Sequence, residues 1–136
     1  MAILFPSDDW IKAAMVEVNK SADYAAAASN WEGDIIFVVT AVPEKREGMQ
    51  LYMDLWHGEC REAFEVADPS SQSSEFVITA PLSVWRKVLE GKVDPIRGLV
   101  SRQLKMKGNM MKVLKAPKAA VELVNACMHV DTEWPV

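Results

Sequence analysis

Four side chains that could hold a metal or begin nucleophilic chemistry fall in two short pairs. His57 and Cys60 are three residues apart, and Cys127 and His129 are two apart. If the pairs met in the fold, their imidazoles and thiolates could form a tetrahedral zinc site. Each pair stands alone, however, and the Cys-x-x-Cys knuckle is missing, so no metal is expected; a buried thiol and a surface imidazole are the commoner outcome. A Cys–His nucleophile is no better placed, because no third residue can be named to orient the imidazole. The six glycines are scattered and build neither a phosphate-cradling loop nor a dinucleotide fingerprint, and no Gly-x-Ser-x-Gly elbow occurs. No carboxylate pair has a context that would shift its pKa. The expectation is a protein that is not an enzyme and carries no cofactor.

The unusual counts are eight methionines and five tryptophans in 136 residues. Met106, Met110 and Met111 gather in one short stretch. Methionine fills irregular space and adapts to varied shapes, so the cluster fits either a cavity wall or plain core packing. Periodicity alone leaves both open.

The elements that must position these methionines run from Trp85 to Leu114. Val84, Trp85, Val88 and Leu89 form the apolar stripe of a helix, with Arg86, Lys87 and Glu90 pointing away. Gly91 stands where a left-handed C-cap is wanted. Asp94 and Pro95 open a second helix as N-cap and first helical residue, with Ile96, Leu99 and Val100 as its stripe. Gln103 to Lys107 alternates and reads as a strand, with Leu104 and Met106 on one face. Gly108 breaks it, and Asn109 can cap a short helix carrying Met110, Met111, Val113 and Leu114.

This stretch resembles the sterol carrier protein type 2 family of lipid-binding domains. Gly91-Lys92, Asp94-Pro95, Leu104-Lys105-Met106 and Gly108-Asn109-Met110 match the family pattern in order and spacing, while Arg102-Gln103 stands where the family often has Gly-Lys. The resemblance implies a soluble, non-catalytic lipid carrier whose five-stranded mixed sheet and helices enclose an apolar tunnel. It implies as lipid-binding residues Trp85, Leu89, Leu99, Leu104 and Met106, followed by Met110, Met111, Val113 and Leu114. Gln103 and Ser101 are near enough in sequence to supply a polar contact. The ligand would be a small apolar lipid: sterol, fatty acyl, isoprenoid or phospholipid.

The rest of the chain reads as α+β. Ser7 or Asp8 caps a first helix with Ile11, Ala14, Met15 and Val18 inward, extended by Ala22, Ala25 and Ala26. Four strands follow, at Ile35–Val39, Met49–Trp56, Arg61–Val66 and Phe76–Ala80. The first is apolar on both faces, hence central or covered twice. Pro117 opens a last helix with Ala120, Val121, Val124 and Met128 inward, and the tail from Asp131 is expected to be loose. Hairpins early and helices late mean a mostly antiparallel sheet covered on one face by helices. All 136 residues read as one domain.

Charge and hydropathy limit the partners. No apolar run exceeds five residues, so no membrane span is expected, and Met1 to Asp9 lacks the form of a secretory signal. Two cysteines make no disulfide framework, and cytoplasmic residence is the default. The net charge of −4 argues against nucleic acid. Yet Arg86 to Lys118 holds ten basic residues against Glu90 and Asp94, so this segment is +8 and the remainder −12. Such a segment either is balanced by acidic neighbours in the fold or meets the anionic lipid headgroups of a membrane surface or an acidic partner. The alternative function is an interaction module: a homodimer, or an accessory to a lipid-modifying enzyme, using a sheet face with Tyr52 and Trp56.

Overall fold

The computed structural model describes residues 1–136. The main sheet is built from β2 (Glu32–Thr40), β3 (Met49–Trp56), β4 (Glu59–Glu65), β5 (Phe76–Pro81) and β6 (Lys105–Lys107), in the spatial order β4-β3-β2-β5-β6. Within this sheet only the β2–β5 pair is parallel. β2 is therefore central: helices cover its inner face, and on its outer face Ile36 and Val38 cluster with side chains of the neighbouring strands. The β3–β4 hairpin turns at His57-Gly58, both at positive φ, the backbone twist that tight hairpins favour.

Register assigns the faces. Ile35, Phe37 and Val39 align with Phe76, Ile78 and Ala80 on one side and with Met53, Leu51 and Met49 on the other. This inner face meets α1 (Asp8–Lys20), α2 (Ala22–Ala27), α3 (Leu82–Leu89), α4 (Pro95–Val100), α5 (Met110–Leu114) and α6 (Pro117–Cys127) in one core. The outer face carries a smaller cluster of Ile36, Tyr52 and Val66.

The expected caps are formed. Ser7 Oγ accepts from Trp10 N at 3.0 Å, and Asp94 Oδ2 from Arg97 N at 2.9 Å. Asn109 Oδ1 accepts from Met111 N at 3.0 Å. Gly91, at φ +77, lets Lys92 N reach Lys87 O at 2.8 Å and close α3.

Four expectations need correction. The first helix does not run on through the alanines. Ser21 breaks it and caps α2, its Oγ accepting from Tyr24 N at 3.0 Å. The re-phased turn buries Tyr24 and Ala28, while Ala22, Ala25 and Ala26 face outward. In α4, a helix of six residues, only Gly98 and Leu99 are buried, and Val100 is 66% exposed. In α6 Ala120 and Val124 do face the interior, but Met128 is exposed, and the buried residues are Ala119, Ala126 and Cys127. The tail is not loose. β7 (Thr132–Glu133) pairs in parallel with β1 (Ile3–Leu4). Trp10 Nε1 donates to Thr132 Oγ1 at 2.9 Å, and Trp134 packs on Phe5 with ring centroids 5.1 Å apart.

Candidate lipid-binding site

A cavity lies between the inner face of the sheet and the helices. It holds about 690 Å³ of empty space, part of it open to solvent, and none of its nineteen lining residues is charged. The sheet supplies Ile35, Phe37, Leu55, Phe76 and Ile78. The helices supply Trp85 and Val88 from α3, Leu99 from α4, Val113 from α5, and Ala119, Ala120, Leu123 and Val124 from α6. Tyr24 and Trp31 also line it, as do Leu104 and Met106. The two alanines on α6 matter for shape: small side chains opposite a sheet leave space that larger ones would fill.

A second space of about 460 Å³, lined by twelve apolar residues, adjoins the first. Phe37, Trp85, Val88, Leu123 and Val124 line both. At this waist Phe37 and Trp85 meet edge to face at 5.7 Å, and Trp85 Nε1 donates to Val38 O at 3.1 Å, which fixes the indole. Phe5, Trp10 and Ile11 form walls of the second space.

Outside the cavity, Leu99, Val100, Arg102, Leu104, Lys105, Met106, Met110 and Leu114 line an open groove. Leu99, Leu104 and Met106 belong to both cavity and groove. They form a wall one side chain thick between the interior and the basic surface.

The ten residues expected at a lipid site distribute unevenly. Trp85, Leu99, Leu104, Met106 and Val113 line the main cavity, and Leu89 lines the second space. Met110 and Leu114 line only the groove. Gln103 and Met111 lie outside the cavity. Gln103 is exposed, its Nε2 donating to Ser101 Oγ at 3.2 Å, because Arg102 at φ +64 turns the chain before the strand begins at Lys105. Met111 is 58% exposed, since Val113 takes the inward position of the five-residue α5. Sequence reasoning missed Tyr24, Trp31 and Phe37. The apolar run of β2 signalled Phe37, but nothing in the alanine-rich α2 singled out Tyr24.

The His and Cys residues do not converge on one point: no three His, Cys, Asp or Glu side chains come together. His57 Nε2 sits 2.6 Å from Glu32 Oε2 at the surface. Cys60 and Cys127 are free, buried thiols, each pushed up to about 12 chiefly by that burial, so they stay protonated at neutral pH.

Residues 11–120 match the model of the SCP-2 sterol transfer family. The chain belongs to that family. A crystal structure of sterol carrier protein 2 is 35% identical, with a TM-score of 0.82 over 91% of this chain and 97% of that one. The solution structure of a conserved hypothetical protein from Thermus thermophilus is 34% identical, with a TM-score of 0.83 over 94% of this chain and 90% of that one. The apo form of sterol carrier protein 2 from Yarrowia lipolytica, at 18% identity and a TM-score of 0.57 over 89% of this chain and 88% of that one, shares the fold. Among proteins with curated descriptions, none matches the chain. As a member of the SCP-2 family the chain is a lipid-binding or transfer domain on a carrier fold, and no helix is long and apolar enough to cross a membrane.

Proposed function

We propose that this chain is a non-catalytic carrier that buries the apolar tail of one lipid in the cavity between sheet and helices. Lipid would enter through the wall formed by Leu99, Leu104 and Met106. The observation that carries this reading is a cavity lined by nineteen residues with no charge among them. Lipid and other small-molecule sites are largely apolar and carry few polar groups. Burying about ten methylenes would contribute about 8 kcal/mol at ~0.8 kcal/mol each, set against an association cost that starts at about 4 kcal/mol. All 136 residues would act as one unit, because both termini pack against the wall of the second space. Two free, protonated thiols suit a reducing, cytoplasmic setting.

The test is a native mass spectrum of gently purified protein. One lipid adduct per chain is expected. A lipid-free dimer would sink the carrier and favour an interaction module on the outer sheet face. That face is largely self-covered: Tyr52 donates to Asp34 Oδ2 at 2.8 Å and packs on Phe64, and Arg61 lies 4.7 Å over the Trp56 ring.

The basic groove supports delivery to anionic membranes. Exposed Val100 flanks it, and Arg102, Lys105 and Lys115 take part in no ion pair. Lys112 differs: it pairs with Glu75 at 2.7 Å and lies 5.2 Å over the Trp31 ring, so its charge is already engaged within the chain. Replacing Arg102, Lys105 and Lys115 by Glu should slow lipid transfer to phosphatidylserine vesicles at least roughly tenfold, at about 1 kcal/mol per basic residue. Affinity for free lipid should not change. Transfer by the native protein should weaken as salt rises above ~0.1 M. Rates indifferent to both salt and substitution would rule out docking through this groove.

A further inference from the structure

The cavity wall contains one hydrogen-bonding group that the protein itself leaves idle. Tyr24 is only 2% exposed and lines the main cavity, yet its hydroxyl has no partner within the chain. The other side-chain donors on this wall are engaged: Trp31 Nε1 donates to Gly33 O at 3.0 Å, and Trp85 Nε1 to Val38 O at 3.1 Å. No side-chain nitrogen or oxygen is sealed off without a partner. The little surface that Tyr24 retains must therefore include its hydroxyl.

The position is not incidental to helix packing. Ser21 ends α1 and restarts the helix by accepting from Tyr24 N, and this change of phase turns the tyrosine inward. A phenylalanine would satisfy the same packing without leaving a hydroxyl unpaired. Burial, with a smaller contribution from the neighbouring Cys60 and Cys127, raises the phenol above its ordinary range, so at neutral pH it is a protonated donor. The other cavity-lining groups limit what it can meet. With no cation among the nineteen lining residues, a carboxylate or phosphate drawn to Tyr24 would be buried without compensation.

We propose that the Tyr24 hydroxyl anchors the bound lipid by donating a hydrogen bond to an uncharged oxygen inside the cavity: an ester or ketone carbonyl, or an alcohol. This deepens the carrier reading above and rests on it. It names the ligand class as neutral, oxygen-bearing lipids, in preference to hydrocarbons of the same length.

The experiment compares methyl palmitate with heptadecane, each displacing a fluorescent acyl probe from the native protein and from Tyr24→Phe. The variant should bind the ester about fivefold or more weakly, the size of one lost hydrogen bond, and bind the alkane unchanged. Its melting temperature should hold or rise. Equal ester affinity in the two proteins would overturn the anchor and leave the carrier standing. Failure of native protein to bind either compound would remove the carrier reading and the anchor with it. A second measurement needs no variant. The carbonyl stretch of ¹³C-labelled methyl palmitate on the native protein should fall below its frequency in alkane, and an unshifted band would also refute the hydrogen bond.

Discussion

Ala120→Trp is expected to exclude lipid without unfolding the chain. Ala120 sits on α6 and lines the cavity opposite the sheet. If that space is open to a ligand, an indole can occupy it as the lipid would. Binding of a fluorescent fatty-acid probe should then fall at least roughly tenfold, about 1.4 kcal/mol, while the melting temperature moves by only a few degrees. In a close-packed core the same change would overpack and cost about 1–3 kcal/mol. Met110→Trp is the control, because Met110 lines the outer groove and not the cavity; binding should be nearly unaffected. An Ala120→Trp protein that binds normally, or that does not fold, would mean this space is not the lipid site.

Gly108→Ala should be the most damaging small substitution near the site. Gly108 lies between β6 and α5 at φ +128, a conformation that L side chains rarely adopt, and an added Cβ would stand 2.6 Å from Phe76 Cδ1 and 3.0 Å from Glu75 O. Phe76 can retreat only toward the cavity it lines. It is fully buried and packs against Trp31 with centroids 5.5 Å apart. Backbone strain and overlap together should cost about 3 kcal/mol. In a chain of this length that is a fall of roughly 10 °C in melting temperature, measured by thermal unfolding followed by circular dichroism. A shift within about 2 °C would show that the turn or the ring can relax, and that glycine is not required there.

What could be read from the sequence follows a physical division. Local chemistry was legible: Asp94-Pro95, Asn109 and Gly91 each act within one turn of the chain, and each does what its type predicts. The strands were legible because β2 is apolar on both faces and β3 alternates. Facing in the short helices was not. Five or six residues give too little periodicity to orient a stripe, so Val100 and Met111 read as inward and lie outside. Tyr24 was missed because its orientation depends on Ser21 acting as a helix break, a choice that tertiary packing makes. A cavity wall and a solid core also share one pattern. Ala120, Leu123 and Val124 retain part of their surface although they face inward, and only the structure shows that they border empty space.

The pairing of Ile3–Leu4 with Thr132–Glu133 has a consequence for how the molecule is made. Phe5, Trp10 and Ile11, which help wall the second space, are synthesised more than a hundred residues before Thr132 and Trp134, which clamp them. Until Thr132 leaves the ribosome, a nascent chain can assemble the sheet and helices around an apolar trough with one end unlatched. Contacts so distant in sequence also close late when the full chain refolds. Strands of two residues hold that latch, so it opens more readily than the sheet. The amide protons of Ile3 and Phe5, which bond to Asp131 and Glu133, would report this as faster hydrogen exchange than those of β2. Closure of the walls around the second space would then be governed by the order in which the chain is translated.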